Sequence, residues 1–356
     1  MNMKGGVRGR RVFGGIVLVL VLIQLGACRS ERRGKDFITW DDIQLGEDGA
    51  GLSTRDGSKV IVVDQYGGGD SLTVQGAIDI VPDHNTQRVK IFILAGEKVV
   101  VPKTKPYISF IGDERRVYDT VITWNNKASD TDENGAQLGT YRSASVTIES
   151  DYFCATGITF QNTVVAQPGA TGMQAVALRV SGDMAFFYRA RILGSQDTLL
   201  DQRGSHYYYQ CYIEGNIDFI FGRGRSLFKN CNLHSTAQSS GAIAAHHRDS
   251  PDDDTGFSFV DCEITGTGNI FLGRAWGDYS RIIYANSDID NIIIPDGWSD
   301  WDLPYRQKTA VFSEYSCRGR GANTGGRVSW RKIFTYEEVK PFLSMEFIEG
   351  DQWLKL

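Results

Sequence analysis

Four stretches decide the fold: Phe187-Tyr188-Arg189-Ala190-Arg191-Ile192, Tyr208-Tyr209-Gln210-Cys211-Tyr212-Ile213, Phe228-Lys229-Asn230-Cys231-Asn232-Leu233 and Phe259-Val260-Asp261-Cys262-Glu263-Ile264. Each reads aromatic, two residues, small residue, one residue, aliphatic. Fainter copies flank them, Phe153…Thr156…Ile158 and Tyr284…Ser287…Ile289, and on the small residue the steps are 34, 21, 20, 31 and 25 residues. Recurrence at this scale marks a solenoid, because each unit can bury its apolar face only against its neighbours. Within the unit the alternation has period two, so each unit is a strand and the stack is a parallel β-helix. Uneven steps mean loops of different length leaving a regular coil. A sandwich or open barrel would not produce matches in register at one coil per repeat.

Composition agrees. Of 356 residues 41% are hydrophobic, enough for a large core, and glycine at 40 is about 11% against a usual ~7%. Proline is scarce at 8, which excludes collagen and Pro/Gly linker proteins. The glycines are expected at coil corners, among them Gly194, Gly215, Gly222, Gly266 and Gly273. A formal charge of −5 argues against a nucleic-acid binder. Lys4, Arg8, Arg10 and Arg11 precede the apolar run Val12–Gly26 and the small residue Ala27, the pattern of a secretory signal peptide over residues 1–27. The run falls short of the ~20 residues of a membrane span. Leu25-Gly26-Ala27-Cys28 also fits a lipoprotein cleavage box. Cleavage after Ala27 removes four positive charges and no acid, leaving −9 rather than −5. Residues 28–55, polar and rich in Gly and Asp, read as a linker, and 56–356 as the catalytic domain.

Cys211, Cys231 and Cys262 fall on the ladder and are expected as buried, inward-facing thiols, with a Cys211–Cys231 bridge within reach across neighbouring coils. No cysteine or histidine spacing suits zinc. Val60–Asp64 reads as a first strand. Leu72–Val81 reads as an amphipathic helix closing the N-terminal end of the coil, and Tyr336–Phe347 as its counterpart at the other end.

Counting from the ladder locates chemistry. Asp197 lies seven residues after Ala190, and Asp218 seven after Cys211, so two carboxylates stand one above the other on adjacent coils. Like charges so close cannot both ionise, and one holds a proton near neutral pH. The pair could serve as nucleophile and general acid/base. An aspartate at a turn ordinarily caps local backbone. Against that, Asp218 sits within Ile217-Asp218-Phe219-Ile220-Phe221-Gly222 and Asp197 precedes Thr198-Leu199-Leu200, apolar settings in which a charge needs a partner. Gln174, opening Gln174-Ala175-Val176-Ala177-Leu178, stands 22 residues before Gln196, again one coil. Two amides thus flank the carboxylates as donors to an oxyanion. In Leu272-Gly273-Arg274-Ala275-Trp276, two coils beyond Asp218, Arg274 could hold the ionised carboxylate and Trp276 offers a flat face to a sugar. A surface ion pair and a half-buried core Trp are their plainer readings.

Taken together, Gln174–Leu178, Gly194-Ser195-Gln196-Asp197-Thr198-Leu199, Ile217–Gly222 and Leu272–Trp276 resemble the signature set of the pectinesterase (pectin methylesterase) family, in that family's order and spacing. The likeness runs from about Val60 to the end, through Phe347-Ile348-Glu349-Gly350-Asp351-Gln352-Trp353-Leu354. It is strongest toward the QUARTET-type plant branch, through Asp36-Phe37-Ile38-Thr39-Trp40-Asp41-Asp42 and Gly241–Ser250. The resemblance implies an all-β, right-handed parallel β-helix with short capping helices, and hydrolysis of galacturonate methyl esters in pectin. It implies Asp218 as nucleophile, Asp197 as proton donor and acceptor, and Gln196 and Gln174 as stabilisers of the tetrahedral oxyanion. Arg274, Trp276, Gln174 and Thr140 would contact substrate or hold the nucleophile. No metal or organic cofactor is implied. The partners implied are methyl-esterified homogalacturonan and a proteinaceous pectinesterase inhibitor, with no nucleic acid and no stable membrane association after signal cleavage. The protein is expected as a secreted monomer in the cell wall.

Two features depart from the family pattern. Ala95-Gly96-Glu97-Lys98-Val99 is shorter than the family's Gly-x-Tyr-x-Glu element and lacks its Tyr. Arg223-Gly224 replaces a small polar pair, so Arg223 adds a charge beside the site if it points inward. These leave open a non-catalytic pectin-binding solenoid. A calcium-dependent pectate lyase or a polygalacturonase is the other alternative, with Asp252-Asp253-Asp254 as calcium ligands or simply a solvated loop. His246-His247 reads as strand-end packing rather than catalysis.

Overall fold

The computed structural model describes residues 37–45, 58–94, 98–167 and 169–356. The expected signal peptide and the Ala95-Gly96-Glu97 element lie outside the described residues. The described strands stack almost wholly in parallel and wind as a coil with three faces. One face is a 10-stranded sheet from Lys59–Val63 to Val311–Tyr315. The second contains Thr159–Asn162, Arg191–Leu193 and Tyr212–Gly215, and the third Leu178–Val180, Leu199–Asp201 and Ile220–Gly222. The long strands Asn232–His246 and Glu263–Ala275 run through both of the latter faces.

The repeat is this winding made visible. Its aromatics pair in register, Phe187 with Tyr208, Tyr208 with Phe228, Phe228 with Phe259 and Phe259 with Tyr284. Their rings stack inside the coil at centroid distances of 4.8, 4.5, 4.7 and 4.6 Å, close to the strand spacing of about 4.8 Å. The aliphatics form a second ladder, Ile192–Ile213–Leu233–Ile264–Ile289. Before each small residue the chain turns left-handed: Arg189, Gln210, Asn230, Asp261 and Asn286 have φ between 48 and 55°. Side chains occupy these corners, while Gly194, Gly215 and Gly222 stand at strand ends as expected and Gly266 and Gly273 lie within the long strand Glu263–Ala275. Glycine is required where coils touch: a Cβ on Gly222 would lie 1.8 Å from the Asp201 carbonyl oxygen.

Cys211, Cys231 and Cys262 are buried free thiols, each donating to a backbone carbonyl one coil back at 3.4 Å. The Cys211–Cys231 bridge is not formed. The upstream copy of the repeat is displaced by two residues from its expected register. Phe187 pairs with Ala155 and Ile192 with Phe160, so Phe153 instead tilts against Phe187 at 5.8 Å.

At the N-terminal end the helix Val74–Ile80 buries Val74, Ala77 and Ile78 in the core, and Thr73 caps it by accepting from the Gly76 N–H. Tyr336–Phe347 is not one helix but short turns lying along the flank, where Ser258 donates to the Phe342 carbonyl and Phe347 joins Phe186, Tyr207 and Leu227. Ala322, Val328 and Trp330 pack against the core near its C-terminal end instead. Part of the stretch read as a linker is also built in. Ile38 pairs with Leu354, Asp42 bonds Arg88 at 3.1 Å, and the buried Lys90 ammonium donates to the carbonyls of Asp41 and Gln44. A buried ammonium demands such acceptors, which accounts for the docking.

Phe228 has a ring on either side in the stack, so Phe228→Ala should cost about 3–5 kcal/mol. A urea titration checks this, and a loss below ~1 kcal/mol would mean the aromatic stack does not hold the coils together.

Candidate active site

The turn from Arg191–Leu193 to Leu199–Asp201 carries Asp197, and the turn from Tyr212–Gly215 to Ile220–Gly222 carries Asp218. The strands that follow pair Leu199 with Ile220. The turns themselves are tied, the Asp197 N–H donating to the Ile217 carbonyl at 3.0 Å. Ser195 Oγ accepts from the Asn216 side-chain amide at 2.9 Å and from the Ala166 N–H at 3.1 Å. Gly215 is where the turns press together, since a Cβ there would lie 2.6 Å from the Ser195 carbonyl oxygen. Asp197 and Asp218 both adopt left-handed backbone, φ 63 and 46°, a conformation aspartate tolerates better than most residues.

Register also explains Arg274. Leu200, Phe221, Ala245 and Arg274 are successive partners on the outer face of the third sheet, which puts Arg274 two coils beyond Asp218. The intervening residue is only an alanine, and the guanidinium reaches back across it to grip both oxygens of Asp218, Nε at 2.8 Å from Oδ1 and the second N–H on Oδ2. Trp301 covers the guanidinium, its ring centroid 4.0 Å from the Arg274 Cζ.

The carboxylates are unequal as a result. Burial raises the Asp218 carboxyl above its ordinary range, and the Arg274 ion pair opposes that rise. Asp197 is pushed well above its ordinary value, first by burial and then by the charge on Asp218, and Arg274 offsets little of it. Asp218 ionises first and Asp197 keeps its proton, one step of a coupled pair.

Both residues open into a cleft of about 300 Å³, whose lining also includes Thr140, Gln174, Gln196, Arg274 and Trp276. The structure thus brings together every residue that the sequence reading singled out for the site. Among the described residues, no protein acceptor engages the side-chain amides of Gln174 or Gln196. Tyr141, Gln202, Phe221 and Trp301 line the cleft as well and were missed. Phe221 is found by extending the Arg274 row backward; Trp301 lies in irregular chain after Trp298–Ser299 and has no ladder signal. Arg223 is not among the lining residues; its half-exposed side chain pairs with Asp249. His246 is buried and neutral, burial lowering it to about 3. Arg248 fastens the Asp252–Asp254 loop by donating to the Asp253 carbonyl at 2.7 Å.

Beneath the cleft is a polar contact that sequence reasoning did not find. Asp201 and His206 are fully buried, with Nδ1 2.7 Å from Asp201 Oδ1 and Nε2 2.8 Å from the Gly182 carbonyl oxygen. Both ring nitrogens face oxygens. Burial alone would lower the imidazole's pKa, but Asp201 more than offsets this and raises it. The ion pair holds the end of the strand that begins just after Asp197.

A family model described as Pectinesterase matches residues 60–351. The chain is 61% identical over 345 residues to Pectinesterase QRT1 of Arabidopsis thaliana, covering 90% of this chain and 91% of that protein. It is 39% identical over 312 residues to Pectinesterase 31 of the same plant, covering 84% and 96%. Among solved structures it superposes on the pectin methylesterase from carrot with a TM-score of 0.76 and 34% identity, over 85% of this chain and 96% of that one. The deglycosylated pectin methylesterase from Aspergillus niger gives 0.71 and 26%, over 85% and 98%. With the coil, the paired carboxylates and these likenesses in agreement, the chain belongs to the pectinesterase family.

Proposed function

We propose that this protein hydrolyses the methyl esters of galacturonate units in pectin, with Asp218 as nucleophile and Asp197 as general acid and base. The observation that carries the reading is the split of two stacked carboxylates into one held ionised by Arg274 and one that keeps its proton. Ester cleavage needs that pair: an anion to attack and an acid to protonate the leaving alkoxide.

The steps balance. An Asp218 oxygen attacks the ester carbonyl carbon, and the negative charge passes to the former carbonyl oxygen. Gln174 and Gln196, uncharged donors with free amides, stabilise that oxyanion, a contribution typically worth ~10²–10³ in rate per donor. Collapse breaks the C–O bond to methoxide, which takes the Asp197 proton and leaves as methanol. Asp197, now anionic, accepts a proton from water as it attacks the acyl-enzyme, restoring the Asp197 proton and releasing ionised Asp218 and the free galacturonic acid unit, which then gives its own proton to solvent. Trp276, with Phe221 at 6.1 Å between ring centroids, and Thr140 border the space for the sugar. Secretion through residues 1–27 and action on methyl-esterified homogalacturonan in the cell wall complete the proposal, supported by the basic start and apolar run of that segment.

Methanol release from methylated pectin by wild type and Asp218→Asn tests the reading. Asparagine fits the same left-handed turn, so the variant should fold and lose at least about a thousandfold in rate; equal rates would remove Asp218 as nucleophile. In the pH profile, rate should fall on the acid side as Asp218 protonates and on the alkaline side as Asp197 deprotonates. Because Arg274 lowers the Asp218 pKa, Arg274→Gln should move the acid limb to higher pH. An unmoved limb in a folded Arg274→Gln protein would contradict that role.

A further inference from the structure

One outer row beyond the reacting groups is not used by this chemistry. Asp201, Gly222 and His246 are register partners facing inward, so the residues that follow, Gln202, Arg223 and His247, stand side by side on the outer face. They lie two residues, about 7 Å, along the strands from the Leu200–Phe221–Ala245 row. Trp276 follows Ala275, the partner of His246, and closes the row. Its two ends, Gln202 and Trp276, line the cleft; Arg223 and His247 are the middle of its rim.

These middle residues are held in place. Arg223 donates to Asp249 Oδ2 at 2.5 Å, His247 Nε2 lies 2.7 Å from Asp249 Oδ1, and the imidazole sits edge-on to Trp276 at 4.8 Å. Arg223 and Asp249 keep side-chain exposures of 45% and 60%. Among the described residues, no other protein group bonds the rest of the Arg223 guanidinium. An exposed pair of this kind contributes little stability, so Asp249 orients the guanidinium while leaving most of its fork open. Among the described residues that line the cleft, the one cation is Arg274, and Asp218 occupies it.

The units flanking a methyl ester in pectin carry either another ester or a free carboxylate, and a planar guanidinium fork fits the carboxylate. The chain's formal charge of −5 does not attract a polyanion in bulk, so recognition of de-esterified pectin needs a cation placed locally. We propose that Arg223, oriented by Asp249 and His247, binds the free carboxylate of a galacturonate unit near the one being de-esterified, favouring substrate that is already partly unesterified. This rests on the pectinesterase reading above.

A short unesterified galacturonate oligomer, titrated against the full-length protein by tryptophan fluorescence or calorimetry, tests the subsite without turnover. Arg223→Gln should weaken binding about tenfold and flatten its dependence on salt, and Arg223→Lys should recover part of the loss. Asp249→Asn, which keeps an acceptor oxygen to orient the guanidinium but removes the negative charge that competes with the substrate carboxylate, should tighten binding. Oligomer affinity unchanged in Arg223→Gln, with its thermal midpoint equal to wild type, overturns the proposal. Methanol release by wild type is read separately: Arg223-dependent binding without any methanol would sink the hydrolase reading and leave the subsite standing.

Discussion

Parallel coils must stack in register, about 4.8 Å apart, and nearly everything else in this molecule follows from that constraint. Equivalent positions become neighbours whether or not their side chains favour it. For Phe187, Tyr208, Phe228, Phe259 and Tyr284 the result is a continuous inner stack, and for Cys211, Cys231 and Cys262 a column of small buried groups. For Asp197 and Asp218 the same geometry is unfavourable. Stacking two buried carboxylates costs free energy that apolar neighbours would not, and the pair persists because an unequal pair of carboxyls is what ester chemistry needs.

The asymmetry comes from a third coil and a fourth. Ala245 is small enough for Arg274 to reach past it to Asp218, and Trp301 covers the guanidinium from the other side. Asp197 has no such cation and keeps its proton. Roles that look interchangeable in the sequence, two aspartates seven residues past the ladder, are thus separated by a residue 56 positions away from one of them. The same logic gives Arg223 its place: it is held at the rim by Asp249 rather than competing with Arg274 for the nucleophile.

Much of this was legible in the residues, because a solenoid writes its contacts at a nearly fixed step. The aromatic and aliphatic ladders, the stacking of Asp197 on Asp218 and the position of Gln174 one coil before Gln196 are all read by counting. Counting fails where the chain leaves the ladder. Phe153…Thr156…Ile158 imitates the repeat but is displaced: Gly157, left-handed at φ 63°, holds the corner that Arg189 holds one coil later, so Ala155 rather than Phe153 stands in the place of Phe187. Trp301 reaches the cleft from irregular chain, and Tyr336–Phe347 has amphipathic spacing yet lies on the flank, where an outer apolar patch of Phe186, Tyr207 and Leu227 receives it. Apart from Gly157, these left-handed corners use Asn, Asp, Gln and Arg, so the glycine surplus does not mark them; Gly215 and Gly222 instead mark close approach of one coil to the next. The direction of Arg223 depends on Asp249, 26 residues away and outside any repeat.

Everything proposed for the cleft depends on one of two stacked carboxyls keeping its proton while the other is ionised. Carbon-13 NMR of aspartate-labelled protein, titrated with pH and assigned with Asp197→Asn and Asp218→Asn, measures this directly. The Asp197 carboxyl should still be protonated at pH values where Asp218 is fully ionised, and should lose its proton well above the ordinary aspartate value of about 3.9. Both carboxyls titrating together in that ordinary range would contradict it.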